Sequence, residues 1–271
     1  MDTIDHCGNG YAHDTLVLLD DGTAIPVQNV RVGQWLLSDN GQALKVITVT
    51  GGDADLYTIY HTHSPTISYT VTADHQLLLL DRDSVVSMSV RRFINDKTEP
   101  FVGFTRRIPQ SVPRRVLQIS PLRMGSYVAS LTNVSTEFDD RVLEKLSKYV
   151  SDTVTARELL QGWLRSSAIS YDESSFTLDV ADPFIDIFAR LCTGLGYNVT
   201  ALRSTASSST CPRQMCRLTI DSIQKQYISS PIMVSYVGRG RYHAFTCENG
   251  SGGVLLGNYV VSTIDTNNTN L

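Results

Sequence analysis

The strongest constraint on the fold is a series of short apolar runs separated by turn-forming residues. In "DTLVLLDDGTAIPV" (residues 14–27), two apolar runs flank Asp-Asp-Gly, and "QWLLSDNGQALKVITVT" (34–50) repeats the pattern around Asp-Asn-Gly. Such residues between alternating apolar positions are the strongest short-range signal for a β-hairpin. Further strand-like runs follow in "LYTIYHTHSPTISYTVTADHQLLLLD", "SVVSMSV" and "PFVGFTRRI". Short strands with frequent turns predict a β-sandwich or a curved sheet over residues 13–105.

The middle of the chain has a different pattern, with apolar residues at helical spacing. Helices are predicted over residues 139–152 and 155–168, the second with Thr153 or Thr155 as its N-cap. A third helix is predicted in "DPFIDIFARLCTGLGY", which has Pro near its start and Gly near its end. The runs "SFTLDVA", "YNVTALR" and "RQMCRLTI" predict strands, the last two as a pair. The middle therefore predicts an α/β unit.

Strands return after Pro231, and the outer segments need each other because neither has enough strands to bury one face of a sheet. The most economical arrangement is a single, mostly β domain that is interrupted by the α/β unit. The predicted ranges are 7–110 and 231–268 for the two halves of the β domain, 111–230 for the insertion, and 1–6 and 269–271 for the flanks.

The charge of the chain argues against a dedicated nucleic-acid binder. The net charge is −4 and the pI is about 5.8, whereas such proteins usually carry a basic surplus. DNA binding stays open only through basic stretches such as "VRRFINDK" and "TRRIPQSVPRRV". No apolar run is long enough to cross a membrane, and residues 1–20 lack the features of a signal peptide. We therefore expect an intracellular protein without membrane association.

The five cysteines are scattered along the sequence, which fits a reducing compartment better than a disulfide-stabilised fold. Cys211 and Cys216 are close enough in sequence to suggest zinc ligands. No second ligand pair lies near them, and we therefore expect no metal site.

Three stretches of the outer segments together resemble an intein, the self-splicing module of the Hint fold. "DTLVLLDDGTAIPVQNVRVGQWLLSDNGQ" is similar to the hairpins that follow the first intein cysteine, and "TADHQLLL" matches the family's Thr-x-x-His at Thr72 and His75. "YHAFTCENGSGGVLLGNYVV" is similar to the family's aromatic-rich strand and its Leu-Leu-Gly-Asn turn. The resemblance implies a horseshoe-like, mostly β Hint fold. It also implies protein splicing, a single-turnover autocatalytic reaction without a cofactor.

One stretch of the middle segment, "LQGWLRSSA" (160–168), resembles the helix of LAGLIDADG homing endonucleases, which are inserted in many inteins. In that family the last acidic residue of the motif binds the metal ions that cut DNA. Ser167 stands at this position and Arg165 at the earlier acidic one, and neither group binds Mg²⁺ as a carboxylate does. The resemblance therefore implies a degenerate endonuclease. The alternative is an unrelated helix with Gly162 at a packing contact.

The upstream splicing chemistry that the resemblance implies lies at Cys7. Its thiol can attack the carbonyl of His6 and convert the peptide bond into a thioester, with residues 1–6 as a remnant of the host protein. His75 is the candidate acid for the leaving nitrogen, because imidazole titrates near neutral pH. Thr72 is expected to hydrogen-bond the same junction. The alternatives are a cysteine without a role and a histidine with a structural one.

The downstream junction departs from the family's usual ending, which is His-Asn followed by Ser, Thr or Cys. The aligned residues, Ser262-Thr263-Ile264, contain no asparagine. A few residues later, "TNNTNL" supplies Asn268, whose amide can attack its own carbonyl to form a succinimide and release the chain behind it. The alternative for this segment is a disordered polar tail.

The neighbours of Asn268 complete the downstream chemistry that the resemblance implies. Thr269 can accept the acyl group from Cys7. Asn267 replaces the usual penultimate histidine and cannot exchange protons at neutral pH. We therefore expect slow release, or assistance by His243 from the neighbouring strand.

The other polar candidates have smaller expected roles. His13 could approach the upstream junction, and Asp74 could orient the His75 imidazole. His61 and His63 point to the same side of one strand by its two-residue period, and we expect both to face solvent. A metal site there would need at least one more ligand.

The expected partners are the flanking host segments in the same chain. We expect a monomer that follows its host protein to the cytoplasm or the nucleus. Two other classes of function stay open. One is a Hint domain that has lost splicing and acts as a binding or scaffold module, which the altered downstream end favours. The other is a residual DNA-binding relative of the homing endonucleases, although Arg165 and Ser167 argue against DNA cutting.

Overall fold

The computed structural model describes most of the chain, namely residues 9–62, 67–81, 84–96, 102–109, 112, 117–132, 140–150, 152–167, 175–181, 184–203, 215–222, 227–248, 253–263 and 265–266. The strands are β1 (Tyr11–Ala12), β2 (Leu16–Leu18), β3 (Ala24–Pro26), β4 (Trp35–Leu37), β5 (Ala43–His61), β6 (Ser68–Thr72), β7 (Gln76–Asp81), β8 (Ser84–Ser89), β9 (Val102–Arg106), β10 (Ser175–Ala181), β11 (Tyr197–Arg203), β12 (Met215–Ser222), β13 (Tyr227–Cys247), β14 (Val254–Leu255), β15 (Val261–Ser262) and β16 (Asp265–Thr266). The α-helices are α1 (Val90–Asn95), α2 (Pro121–Thr132), α3 (Asp140–Ser147), α4 (Thr153–Ser166) and α5 (Ile185–Gly194). The described part of the chain is thus mostly β, as predicted.

Both hairpins predicted from the turn residues are present. β2 pairs antiparallel with β3, and β4 pairs antiparallel with the first residues of β5. Gly22 and Gly41 have φ values of 78° and 83°, a left-handed conformation that glycine adopts without steric cost. The Asp-Asp-Gly and Asp-Asn-Gly sequences therefore form the turns because each places glycine where this conformation is needed.

The chain divides into two compact units. The outer unit comprises Met1–Thr62, Ile67–Thr105 and Ser229–Leu271, and the inner unit comprises His63–Thr66 and Arg106–Ile228.

A large sheet organises the outer unit. Its strand order is β4-β5-β6-β1-β13-β9-β7-β8, β5 also pairs with β13, and β16 pairs parallel with β13. The two long strands β5 and β13 run antiparallel from the pair His61 and Ile232 to the pair Val46 and Cys247. The core of the unit is a cluster of buried apolar side chains that includes Val17, Leu36, Val46, Ile59, Val71, Leu77, Leu79, Phe245, Val254 and Val260. Short β1 lies between β6 and β13, so the first described residues of the chain are held inside the sheet.

The inner unit contains helices and a three-stranded sheet of order β10-β12-β11. The predicted pairing of β11 with β12 is confirmed. The N-cap of α4 is Asp152, whose carboxylate accepts a hydrogen bond from the Thr155 amide at 2.9 Å, so the predicted threonine cap is wrong. Aspartate is as good a cap as serine and better than threonine, and it stands one residue before the helix.

Helix α2 was not expected from the sequence, and it packs closely against α4. A Cβ atom on Gly125 of α2 would lie 2.1 Å from the Leu159 carbonyl oxygen, and one on Gly162 of α4 would lie 2.0 Å from the Leu122 carbonyl oxygen. The two helices therefore touch through their backbones, and only glycine fits at either position. The sequence indicated one helix with such a glycine, whereas the structure contains two.

The two helices share a sequence pattern. Each has Leu, two residues, Gly, three residues, a small residue and Ser, and these patterns end at Ser130 in α2 and at Ser167 after α4. Among the described helices, none is long and apolar enough to span a bilayer.

Candidate functional site

Thr72 and His75 flank the turn between β6 and β7. The His75 amide donates a hydrogen bond to the Thr72 carbonyl at 3.2 Å, and both side chains are fully buried. Thr72 ends β6 and His75 directly precedes β7, so the predicted three-residue spacing places the two residues at one end of adjacent strands.

The upstream segment reaches this turn through the backbone of Gly10. The Gly10 amide donates to the Thr72 hydroxyl at 3.3 Å, and the Thr72 amide donates to the Gly10 carbonyl at 3.0 Å. Tyr11 follows in β1, where its Cα lies opposite Val71 of β6 and His243 of β13. The Thr72 side chain therefore contacts the peptide bond between Asn9 and Gly10, and its amide contacts the next peptide bond, between Gly10 and Tyr11.

The downstream segment reaches the same place through Ser262 and Thr263. The His75 Nε2 atom lies 2.9 Å from the Ser262 hydroxyl, which is also 3.1 Å from the Tyr11 hydroxyl. Tyr11 donates its phenolic proton to the Thr263 carbonyl oxygen at 2.6 Å. The fold therefore brings residues that are about 250 positions apart in sequence to one cluster around an imidazole.

The Thr263 side chain joins the two segments directly. Its hydroxyl lies 2.9 Å from the Asn9 side-chain oxygen and 2.5 Å from the Gln76 carbonyl oxygen, and these two acceptors share its single proton. We use the name His75 cluster for Asn9, Gly10, Tyr11, Thr72, His75, Ser262 and Thr263. Three hydroxyls, a phenol and an imidazole from the early and late segments are thus joined by hydrogen bonds.

Burial controls the protonation of His75. It lowers the pKa of the imidazole to about 3, because a charged ring would have no water around it. The ring is therefore neutral at neutral pH and can accept the Ser262 hydroxyl proton at Nε2. Its Nδ1 atom is buried and has no hydrogen-bond partner among the described residues. A group in this state acts as a proton acceptor first, and as an acid only after it has taken up a proton.

Asp74 does not orient the His75 ring. Its carboxylate accepts a hydrogen bond from Arg91 Nε at 3.1 Å instead. The expectation that Asp74 holds the imidazole is therefore wrong. The aromatic ring of Tyr11, whose centroid is 5.0 Å from that of His75 in an edge-on arrangement, is what packs against it.

His243 lies beside the upstream strand. Its Nε2 atom is 3.2 Å from His13 Nδ1, and its pKa is lowered by partial burial, then by the charges of His13 and Arg241. The expected approach of His13 to the upstream junction stays a prediction, because Cys7 lies outside the described residues. His243 is three residues from Thr246, the point at which β13 meets β16.

Four of the predicted site residues, namely Cys7, Asn267, Asn268 and Thr269, lie outside the described residues. In the sequence, Cys7 is two residues before Asn9. On the downstream side, β16 pairs with Thr246 and Cys247 of β13. Cys247 is about 13 Å along the strand from His243, the residue opposite Tyr11.

His61 is buried, so the prediction that it faces solvent is wrong. Only 2% of its surface is exposed, and burial lowers its pKa to about 4. It shares the strand face of Ile59, a core residue, and this alternation was the signal that could have located it. His63 lies outside the described residues. Within the described ranges, no group of three or more His, Cys, Asp or Glu residues could hold a metal ion.

Asn9, Tyr11 and Ser262 are the cluster residues that sequence reasoning missed as participants. The signal for Ser262 and Thr263 was their position directly after the "LLGNYVV" stretch, although neither carries an amide.

The sequence matches a family model described as Hom_end-associated Hint over residues 10–159. No curated protein matches it. Among solved structures, a variant of the Ssp DnaB mini-intein shares 10% identity, with 94% of each chain covered and a TM-score of 0.40. The TvoVMA intein shares 9% identity over 94% of this chain and 96% of its own, with a TM-score of 0.36. The gp41-1 intein shares 17% identity over 36% of this chain and 69% of its own, with a TM-score of 0.29.

Proposed function

The chain belongs to the Hom_end-associated Hint family, and from this membership we propose that it is a protein-splicing element that acts on its own flanking segments. The observation that carries the proposal is the His75 cluster, where an early and a late segment of the chain meet at a buried imidazole. Splicing needs this arrangement, because two distant peptide bonds must react in one place.

The proposed upstream step uses Cys7. Its thiolate attacks the His6 carbonyl carbon, a C–S bond forms, the C–N bond breaks, and the proton goes to the freed Cys7 amine. The position of Cys7 two residues before the buried Asn9 supports this assignment. Thr72 contributes the hydrogen bond to the backbone, and His75 carries the proton.

The proposed downstream steps use Asn268 and Thr269. The Thr269 hydroxyl accepts the acyl group from Cys7, and Asn268 cyclises so that the bond to Thr269 breaks. Asn267 supplies a hydrogen bond in place of the usual histidine, and His243 assists from β13. The flanks 1–6 and 269–271 are the partners in cis.

We propose that the splicing domain consists of residues 7–110 and 231–268 and that residues 111–230 are a degenerate LAGLIDADG-like insertion without nuclease activity. The chemistry of its helix ends supports this. Ser130 donates its hydroxyl to the Tyr127 carbonyl at 2.6 Å, and Ser167 donates to the Trp163 carbonyl at 2.9 Å. Both hydroxyls are occupied within their own helices, and neither is a carboxylate that could bind Mg²⁺.

The net charge of −4 does not favour DNA as a partner. We further propose a monomer located inside the cell with its host protein. A plasmid-nicking assay with Mg²⁺ tests the nuclease assignment, and nicking by the wild-type protein would contradict it.

The function is tested by fusing the chain between two unrelated proteins and weighing the products by mass spectrometry. We expect a ligated product and an excised segment, with the upstream step lost in Cys7→Ala and the downstream step lost in Asn268→Ala. Cys211→Ala and Asn270→Ala are matched controls that remove the same chemical groups elsewhere. Splicing that survives both test substitutions would contradict the assigned junctions.

One observation favours a second function, a Hint module that binds or scaffolds without splicing. The backbone that Thr72 contacts belongs to Gly10, which has no side chain, and His75 is bonded to Ser262. The two residues that contact Thr72 and His75 there therefore contribute neither a thiol nor a side-chain amide. An intact fusion protein that still unfolds cooperatively would support this alternative.

A further inference from the structure

We propose that the downstream peptide bond held in the reactive position of this fold is the one between Thr263 and Ile264, and that Tyr11 is the catalytic hydrogen-bond donor to its carbonyl. This inference rests on the splicing chemistry of the proposed function but assigns the downstream junction to residue 263 in place of Asn268, and the two assignments exclude each other. The chain then carries a threonine where release needs an asparagine.

Tyr11 is fixed in one orientation. Its side chain is 1% exposed, its ring stacks on Phe245 with centroids 5.5 Å apart, and the His75 ring packs on it edge-on. Strand β1 is paired on both sides, by β6 and by β13. The phenol therefore cannot turn away from the downstream segment without leaving the core.

The phenol is placed where negative charge would develop. Its hydroxyl lies 2.6 Å from the Thr263 carbonyl oxygen. When a nucleophile adds to this carbonyl, the oxygen becomes an oxyanion, and a buried donor already aimed at it stabilises the charge without reorganisation.

The side chains on either side of this bond complete the placement. The Ser262 hydroxyl forms a hydrogen bond with His75 Nε2. The Thr263 hydroxyl contacts the Asn9 side-chain oxygen and the Gln76 carbonyl oxygen. Residue 263 thus directly follows the partner of the imidazole, and its hydroxyl contacts the upstream segment at Asn9.

Threonine cannot perform the release step, because its side chain has no amide nitrogen. With asparagine at residue 263, Nδ2 attacks the residue's own carbonyl carbon and a C–N bond closes the succinimide ring. The bond from that carbon to the Ile264 nitrogen breaks, and the Nδ2 proton goes to the freed amine. Atoms and electrons balance without an external reactant.

The peptide bond between Asn9 and Gly10, the upstream bond in the cluster, also lacks a side chain that could react with it. Gly10 has no side chain, and a Cβ atom there would lie 2.6 Å from Tyr242 Cδ2 and 2.7 Å from Thr72 Cγ2. Cleavage of the bond between Thr263 and Ile264 can therefore be measured by itself, because no acyl transfer from residue 10 has to precede it.

The test is the substitution Thr263→Asn in the full chain, with release of residues 264–271 followed by mass spectrometry. We expect release at least about tenfold faster in the native protein than in concentrated urea, where the phenol no longer contacts the carbonyl. Thr263→Gln is the matched control, since its longer side chain closes a six-membered ring more slowly, and it should release little. Equal rates in native and denatured Thr263→Asn protein would overturn the inference.

The role of the phenol is tested by adding Tyr11→Phe to Thr263→Asn. We expect release to slow by about 10²–10³-fold, the usual effect of removing one oxyanion donor, with the thermal midpoint measured in parallel. An unchanged rate would overturn the role of Tyr11. If the asparagine variant does not fold, the carbonyl ¹³C resonance of Thr263 in the wild type decides, because Tyr11→Phe must shift it upfield if the bond exists. An unshifted resonance overturns the inference.

The junctions themselves are separated by comparing the wild type with Thr263→Asn. If the wild type releases residues 269–271 through Asn268, the original junction stands and this inference fails. If only Thr263→Asn releases a segment, the inference stands and the Asn268 junction fails. If neither protein releases a segment, the inference is overturned, and the thiol-induced step at Cys7 then reports separately on the proposed function.

Discussion

The His75 cluster and the crossing of α2 with α4 are both places where two segments approach within hydrogen-bonding or backbone contact distance. In the cluster, the approach brings together a phenol, an imidazole and three hydroxyls. At the crossing, it brings together two glycines and the opposing backbone. Close approach alone therefore does not make a site, and the chemical groups at the contact decide what it can do.

The two places also differ in what stabilises them. The cluster buries a neutral imidazole, Nδ1 of which has no hydrogen-bond partner among the described residues, at a cost of about 1–3 kcal/mol. The crossing combines backbone contacts with a hydrogen bond from the Ser126 hydroxyl to the Gly162 carbonyl at 3.1 Å, and Trp163 packs edge-on against Phe184 and Phe188. Trp163 Nε1 is also buried without a partner among the described residues, so an unpartnered polar atom does not distinguish the two places. The cluster is the better candidate site because its groups include an imidazole that can exchange a proton.

The largest difference is expected from removing the imidazole. His75→Ala should slow thiol-induced upstream cleavage by roughly 10²–10⁴-fold, the usual contribution of a positioned proton carrier. The rate is measured in the fusion protein with dithiothreitol, and His61→Gln serves as a control because it removes a buried histidine outside the cluster. A normal cleavage rate in His75→Ala would mean that the cluster has only a structural role, as the helix crossing does.

The next largest difference is expected in how acid changes the stability of the two regions. The folded-state pKa values of His75 and His61 are lowered to about 3 and about 4, so the unfolded chain binds more protons below its ordinary histidine pKa of 6.5. Stability of the outer unit should therefore fall as pH drops from about 6.5 toward 3, by up to about 1.4 kcal/mol per pH unit for each histidine. Residues 106–228 contain no histidine.

This pH dependence is measured by denaturant unfolding monitored at the tryptophans, Trp35 of the outer unit and Trp163 of the inner unit. Each is followed after the other has been replaced by phenylalanine. His61→Gln should reduce the slope of the outer unit alone. Equal acid sensitivity of both regions would contradict the comparison.

A smaller effect is expected at the helix crossing. Gly162→Ala places a methyl group against the Leu122 carbonyl and should destabilise the inner unit by about 1–3 kcal/mol through overpacking. Gln161→Ala changes the exposed neighbouring position and should stay within about 0.5 kcal/mol. Thermal unfolding followed by circular dichroism measures both. A silent Gly162→Ala would mean that the helices are not in backbone contact.

The smallest effect concerns the start of α4. Asp152→Ala removes the bond to the Thr155 amide and should cost about 1 kcal/mol. Asp152→Asn keeps an acceptor oxygen and should restore most of the loss. If alanine and asparagine behave alike in chemical denaturation, the cap does not stabilise this helix.

Local patterns were enough to predict the hairpins and the Thr72–His75 turn, because their geometry depends on neighbouring residues. The downstream partner of His75 could not be chosen in the same way. Asn268 has the functional group that release requires, whereas the contact of Ser262 with the imidazole depends on long-range strand pairing that local sequence does not predict. His61 was misplaced because alternation defines a strand face without saying which face is buried.

Helix α2 was missed for a related reason. Its sequence, "PLRMGSYVASLT", contains a glycine and several serines that disfavour a helix in isolation. The partner helix compensates, since Gly125 is needed for contact with α4. The need for glycine at this position arises only when the two helices pack together, and it is therefore hard to predict from a single sequence.

The position of β9 beside β13 also bears on how such a chain could be shortened over time. A Cβ atom on Gly103 would lie 2.6 Å from Ile232 Cγ2, so the points where the chain leaves and re-enters the outer unit are close neighbours. A lineage could lose residues 107–228 and bridge the gap with a short turn while the sheet kept its pairing. The same geometry would let a foreign segment be inserted between these two points, so whole modules could be gained or lost there without disturbing the sheet.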